Sequence, residues 1–169
     1  MRWRNLIVPC LAVALAAAPV VPFNAYAATR QTTFTVTLTL QTDCQISATN
    51  LNFGTSGVIA ANIDQTSTLT VTCSNGAPYT VGLDAGSVTG STVANRLLGG
   101  TGTPVPTVAY QLYRDSARSL TWGQTVGTDT AAGTGTGAAQ TLTVYGRVAP
   151  QNTPAAGTYT STVTATVTF

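Results

Sequence analysis

The sequence predicts an all-β sandwich, and three features carry that prediction. Polar and apolar residues alternate with period two in run after run. Thr supplies about a quarter of residues 28–169, in the company of many Val, and β-branched side chains fit a half-exposed pleated surface. Gly- and Pro-rich stretches separate the runs, with no βαβ spacing, which favours short antiparallel strands in two layers. The chain of 169 residues is long enough for one core of ordinary size. Only 7% of its residues are charged, against about 25% in an average globular protein, yet 44% are hydrophobic, which argues against disorder.

Residues 1–27 read as a cleaved secretory leader. Arg2 and Arg4 make a basic start, residues 6–22 are almost uninterruptedly apolar, and Ala25-Tyr26-Ala27 offers small residues for cleavage between Ala27 and Ala28. Pro9, Pro19 and Pro22 break the run and no basic cluster follows it, which favours a leader over a membrane anchor. Cys10 lies early in the apolar run and leaves with it. The formal charge of +2 then vanishes, because residues 28–169 hold five Arg and five Asp. Nothing in that balance calls for a nucleic-acid partner. Two cysteines remain, Cys44 and Cys73, and an even pair in an exported chain is expected to form one disulfide.

The strands follow in order. Residues 33–40 alternate without a fault, with Phe34, Val36, Leu38 and Leu40 on one face and Thr on the other. Residues 44–48 form a short second strand and residues 51–54 a third fragment. Residues 66–73 alternate again, and Asn75-Gly76 is a tight-turn signal before residues 79–83, so that pair reads as a hairpin. Arg96-Leu97-Leu98 is the one strand piece in a Gly/Ser/Thr-rich middle, followed by residues 108–114 with Tyr110 and Tyr113. Residues 127–137 read as a flexible Gly/Thr/Ala loop and residues 140–147 as a strand. The last run, 158–169, places Tyr159, Val163, Ala165, Val167 and Phe169 on one face.

Catalysis is poorly supported. The chain has no His, Lys or Glu, so the common general bases and nucleophile–base pairs cannot be built. Asp43, Asp64, Asp84, Asp115 and Asp129 are dispersed, without calcium-loop spacing, and suit turn capping. Two thiols without His make a poor metal site. Residues 133–137 lack the Lys-Ser/Thr of a phosphate loop. Trp122 and the tyrosines are candidates for a sugar-stacking face or for the core. The expectation is therefore a non-enzyme without catalytic, metal or cofactor residues and without a small-molecule substrate.

The alternating segment 33–40 has two readings. It is the first strand of its own sandwich, or it fills a gap in a neighbouring copy by β-strand addition. Spacing does not decide between them.

The chain resembles the spore coat protein U domain family, which includes subunits of Csu-type (archaic) chaperone–usher pili. The residues that carry the resemblance are Cys44, Leu51-Asn52-Phe53-Gly54, Val71-Thr72-Cys73-Ser74-Asn75-Gly76 and Tyr79. They continue with Tyr110-Gln111-Leu112-Tyr113-Arg114-Asp115, Trp122-Gly123, Thr143-Val144-Tyr145-Gly146-Arg147 and Ala156-Gly157-Thr158-Tyr159. Ser161 stands where an acid is common.

The resemblance implies an incomplete immunoglobulin-like sandwich completed by donor-strand exchange. After the signal peptide over 1–27, it implies a donor segment over 28–42 and the pilin-like domain over 43–169. Phe34, Val36, Leu38 and Leu40 would be the donor side chains, and Cys44–Cys73 the stabilising disulfide. Val163, Val167 and Phe169 would lie on the C-terminal strand gripped by a periplasmic chaperone. An outer-membrane usher would then polymerise identical subunits into a surface pilus that supports adhesion and biofilm formation. A secreted coat protein of the same fold and a carbohydrate-binding module using Trp122 and Tyr113 are the alternatives.

Overall fold

The computed structural model describes residues 26–169. Arg2, Arg4, Cys10 and the apolar run 6–22 lie outside the described residues. The chain divides into two compact units after Leu38. In the first, residues 26–38 form neither strand nor helix. The expected strand over 33–40 is not formed: Phe34, Val36, Leu38 and, in the second unit, Leu40 are 86%, 82%, 80% and 83% exposed. Alternation gives a segment two faces, but a strand exists only through the ladder it makes with a neighbour.

The second unit is a two-sheet sandwich of eight strands: β1 Cys44–Ala48, β2 Ile63–Cys73, β3 Pro78–Leu83, β4 Arg96–Gly99, β5 Thr107–Tyr113, β6 Ala131–Thr134, β7 Ala139–Val148 and β8 Ala165–Thr168. One sheet has the order β1-β2-β7-β5-β4 and the other β6-β3-β8. Every pairing is antiparallel. The described residues contain no helix.

The alternation seen in the sequence sets which side of each strand is buried. Leu69, Val71 and Cys73 of β2 and Val108, Tyr110 and Leu112 of β5 face inward, with Val144 and Val148 of β7 between them. Tyr79, Val81 and Leu83 of β3 meet them from the second sheet, forming one continuous core. Trp122 is fully buried there, its indole N–H donating to the Val81 carbonyl at 2.8 Å. This disposes of Trp122 as a sugar-stacking surface. Cys44 and Cys73 sit directly opposite each other on β1 and β2 and are disulfide-bonded.

Four expectations need correction. First, β2 and β3 are not a hairpin, because they lie in different sheets. Ala77 N–H donates to the Ser74 carbonyl at 3.1 Å across Asn75-Gly76, and only Gly76 of that pair has positive φ, +80°. That is a type II turn, whose twist does not match a two-strand ribbon; the chain arches across to the other sheet instead.

Second, residues 127–137 are not a featureless loop, since they contain β6. Gly135 hydrogen-bonds through its N–H to the Ala77 carbonyl at 2.7 Å and accepts from Gly76 N–H at 2.9 Å. Its missing side chain is what lets Cys73 and Ser74 approach.

Third, residues 51–54 form no strand: the Asn52 side chain accepts the Gly54 N–H at 2.8 Å, and Gly54 has φ +80°. Such a side-chain-closed turn offers the backbone an alternative to a ladder. Fourth, only Ala165–Thr168 of the run 158–169 is a strand. The inward and outward alternation persists through it, except that Phe169 is exposed.

Candidate functional site

An open groove of about 1210 Å³ runs along the core of the second unit. Its floor is apolar and comes from both sheets, with Leu69, Val108, Leu112, Val144 and Val148 from one and Leu83 from the other. Its two long walls are non-strand segments, residues 49–59, which continue from the end of β1, on one side and 153–163 on the other, extended by Ala165 of β8. A complete sandwich would cover such a floor with a further strand.

Each wall is fixed by identifiable contacts. On the first, Gly146 of β7 leaves room for Leu51 and Phe53, whose atoms would lie 2.7 and 3.0 Å from a side-chain carbon at that position. Phe53 then stands edge-on to Tyr110, ring centres 6.2 Å apart. Thr49 anchors the start of the wall through paired contacts with Thr68 and Ser67 of β2. Ile59 closes the far end, its N–H donating to Thr153 Oγ1 at 2.8 Å and its carbonyl accepting from Gln151 N–H at 3.2 Å.

The second wall is held at three points. Thr160 exchanges two backbone hydrogen bonds with Gly99, 2.9 and 3.0 Å. Thr162 N–H donates to Ser87 Oγ at 2.9 Å. Thr164 N–H donates to Asp84 Oδ1 at 2.9 Å while Asp84 N–H returns to the Thr164 carbonyl at 3.1 Å. These contacts all lie on one side. Beyond them β8 pairs with β3 alone among the described residues, so its other edge is unpaired. Tyr159, Ser161, Val163 and Ala165 are half-buried along the groove, alternating with exposed Thr158, Thr160, Thr162 and Thr164. Ser161 Oγ is buried with no hydrogen-bond partner.

Behind the floor sits Arg96, fully buried. Its guanidinium donates to the carbonyls of Asp84 (2.8 Å), Leu83 (2.9 Å) and Trp122 (2.7 Å) and to Gln111 Oε1 (2.7 Å). Burial draws its pKa below the ordinary value, opposed by Tyr110, Asp84 and Asp129. The end of β3, the Trp122 loop and β5 are thereby tied to one side chain. Burial pushes the nearby Tyr110 phenol up. For Asp84, burial also pushes upward, but the N–H groups of Thr164 and Gly86 and the charge of Arg96 hold the carboxyl below its ordinary value.

The residues singled out in the sequence fall in different places. Val163 lines the groove, Val167 pairs with Val81 in β8, and Phe169 lies past the strand, exposed. Four of the five carboxylates serve local structure. Asp64 pairs with Arg147 and Arg118, Asp84 holds Thr164, Asp115 accepts from Ser119 and Leu120, and Asp129 accepts from Thr125. Among the described residues no group of three His, Cys, Asp or Glu is placed to hold a metal ion. Sequence reasoning found the inward face of the second wall, with Tyr159, Val163 and Ala165, but missed that both walls leave the sheets, and it missed the role of Arg96. Pro154 and Gly157 hinted that the second wall would leave the sheet, whereas a buried Arg before two Leu has no local signature.

Comparison with known proteins agrees with this architecture. A chain of the CsuC-CsuE chaperone-tip adhesion subunit pre-assembly complex, from archaic chaperone-usher Csu pili of Acinetobacter baumannii, is similar with a TM-score of 0.55 and 26% identity. The match covers 78% of the present chain and 40% of that one. The E. coli Hda pilus minor tip subunit, HdaB, aligns at a TM-score of 0.39 and 12% identity, over 74% of this chain and 79% of that one. No curated protein sequence matches. The family model for the Spore Coat Protein U domain matches residues 30–166, nearly all of the described sandwich, and the chain belongs to that family.

Proposed function

We propose that this protein is a non-enzymatic structural subunit of a chaperone–usher surface pilus, in which the segment carrying Phe34, Val36, Leu38 and Leu40 fills the groove of a second copy. The observation that carries the reading is the open apolar groove beside an unpaired strand edge, in a chain that also exposes an alternating apolar segment. The fit is one of spacing. Four donor side chains at alternate residues span about 20 Å, and the wall offers four groove-facing positions at the same step, Tyr159 to Ala165. Burying one Phe, one Val and two Leu is worth about 6–12 kcal/mol as an upper bound, comparable with the whole stability of a domain, about 5–15 kcal/mol. An uncomplemented subunit is therefore marginal and needs a holder before assembly.

The similarity to a chain of a chaperone–subunit complex supports a periplasmic chaperone as that holder, with Val163, Val167 and Phe169 on the strand it grips. An outer-membrane usher then exchanges it for the next subunit's segment, after export and cleavage following Ala27. The assembled fibre serves attachment and biofilm formation at the cell surface. Cofactors, nucleic acid and small substrates have no part in this. Assembly into a secreted coat by the same strand addition is the second reading, favoured by the family's description.

The test is Leu38→Asp, which places a charge where the groove is apolar. The variant is expected to co-purify with its chaperone and to yield no fibres by electron microscopy. Fibres at wild-type yield overturn the donor assignment, and polymer that forms in full without an usher favours the coat.

A further inference from the structure

The segment that carries Phe34, Val36, Leu38 and Leu40 is attached to the sandwich at a fixed point. Ser74 lies just past Cys73, where the chain leaves β2 for the arch. Its N–H donates to the Asp43 carbonyl at 2.9 Å, and its Oγ accepts from Asp43 N–H at 3.0 Å. The Ser74 hydroxyl proton has two carbonyls within reach, those of Gln41 and Asp43, each 3.3 Å away. Cys44, the next residue, is held by its disulfide to Cys73. Residues 41–44 are thus stapled to the end of β2, and Leu40 is the first residue beyond the staple.

That point is remote from the chain's own groove. β1 runs from Cys44 to Ala48, and of its residues only Ala48 lines the groove. On β2, Leu69 lines it whereas Val71 and Cys73 do not, and on β8 Ala165 does whereas Val167 does not. The nearer mouth is therefore four residues along β1 from Cys44, about 13 Å. A segment doubling back from Gln41 spends residues 40 to 37 on that distance, so at most Val36 and Phe34 enter. Leu38 and Leu40, half of the donor set, fall short. With 41–43 released, residues 43 to 40 would cover the same distance and all four side chains would come within reach.

We propose that the Ser74 staple decides whose groove the segment fills: it leaves the segment too short for its own groove and reserves it for a second copy. This rests on the reading of the groove as the seat of that segment. Ser74 is then a positioning residue for assembly, acting through the tether and touching neither groove nor donor side chains. The stake is one of effective concentration. A tether long enough to span the distance would present the chain's own segment at about millimolar concentration. That is about a thousandfold above a micromolar solution of other copies, and self-filling would win over polymerisation.

Lengthening the tether tests this. A Gly/Ser insertion of about 20 residues between Leu40 and Gln41 has a root-mean-square span of about 25 Å, enough to reach the nearer mouth. The full chain and its variants are refolded from urea without a chaperone, over about a hundredfold range of concentration. For wild type, the urea midpoint is expected to rise with concentration and the folded material to elute as multimers. The insertion variant is expected to give a monomer whose midpoint does not depend on concentration. Ser74→Ala, which frees Gln41 without lengthening the chain, is expected to raise the monomer fraction severalfold, and Ser74→Thr, which keeps the hydroxyl, to behave as wild type. A Ser74→Ala midpoint that falls equally at every concentration, with no monomer gained, overturns the staple, as does an insertion variant that behaves as wild type. So does a wild-type monomer that exceeds Leu38→Asp in midpoint at every concentration, since it has filled its own groove. The groove reading is checked separately by titrating full-length Leu38→Asp with a synthetic peptide of residues 31–42. A higher midpoint with peptide upholds it, and an unchanged one removes the reading on which the staple rests.

Discussion

Replacing Arg96 by Met keeps a long apolar stem and removes the guanidinium from the core. Gln111 Oε1 loses one donor but still accepts from Leu112 N–H at 2.9 Å. The contact to the Val93 carbonyl, at 3.4 Å, is long and weak. Three carbonyls therefore decide the outcome, those of Leu83, Asp84 and Trp122. A buried acceptor stripped of its donor costs about 1–3 kcal/mol, or about 3–9 kcal/mol for the three. The variant also no longer buries a charge, which returns part of that cost, so the net loss is about 2–5 kcal/mol.

Urea unfolding followed by Trp122 fluorescence reads this directly, because Trp122 is one of the three acceptor residues and the single Trp of residues 28–169. With a slope of about 2 kcal/mol per molar urea, the middle of the usual range, the midpoint falls by about 1–2.5 M. Arg96→Lys is expected to fare little better. Its one nitrogen cannot span carbonyls gathered from β3 and the Trp122 loop, and its charge stays buried. A midpoint for Arg96→Met within about 0.3 M of wild type refutes the idea that this side chain ties β3, β5 and the Trp122 loop together.

Other outcomes follow from the same structure. Cys73→Ser opens a loop whose ends are 29 residues apart. By loop entropy this costs about 3–4 kcal/mol, measurable as a lower urea midpoint and a lower yield from an oxidising compartment; an unchanged midpoint shows the disulfide to be dispensable. Gly135→Ala drives a side chain against Ser74 O and Cys73 and is expected to cost about 1–3 kcal/mol in the same assay, whereas a neutral effect contradicts the close packing of the arch.

Acid weakens the protein in a defined window. The Arg147 hydrogen bond, joined by Arg118, holds Asp64 below the ordinary value of 3.8, and Asp84 is likewise lowered. Groups with depressed folded-state pKa values contribute stability above the unfolded value and lose it as pH falls through the folded one. The urea midpoint is therefore steady near neutrality and drops below about pH 4, and Asp84→Asn flattens part of that drop. A midpoint that does not change with acid removes these carboxylates from the account.

What was legible in the sequence is what short-range chemistry controls. Period-two alternation set the two faces correctly in β2 and along 158–168, because a strand's two faces depend only on its own residues. The family and the disulfide of the even cysteine pair followed from residue types and their order. Whether an alternating run becomes a strand was decided in three dimensions, since that takes a backbone partner, which residues 33–40 lack and residues 165–168 find in β3. The sheet that receives each strand was decided the same way. Asn75-Gly76 suits a hairpin by composition, but the chain took the turn that arches between sheets and set Gly135 against it. Arg96 was invisible because a buried guanidinium is permitted only by carbonyls gathered from positions 83, 84 and 122. The groove is likewise a property of the assembled walls: each turns out of the sheet for its own local reason, and only together do they leave the core uncovered.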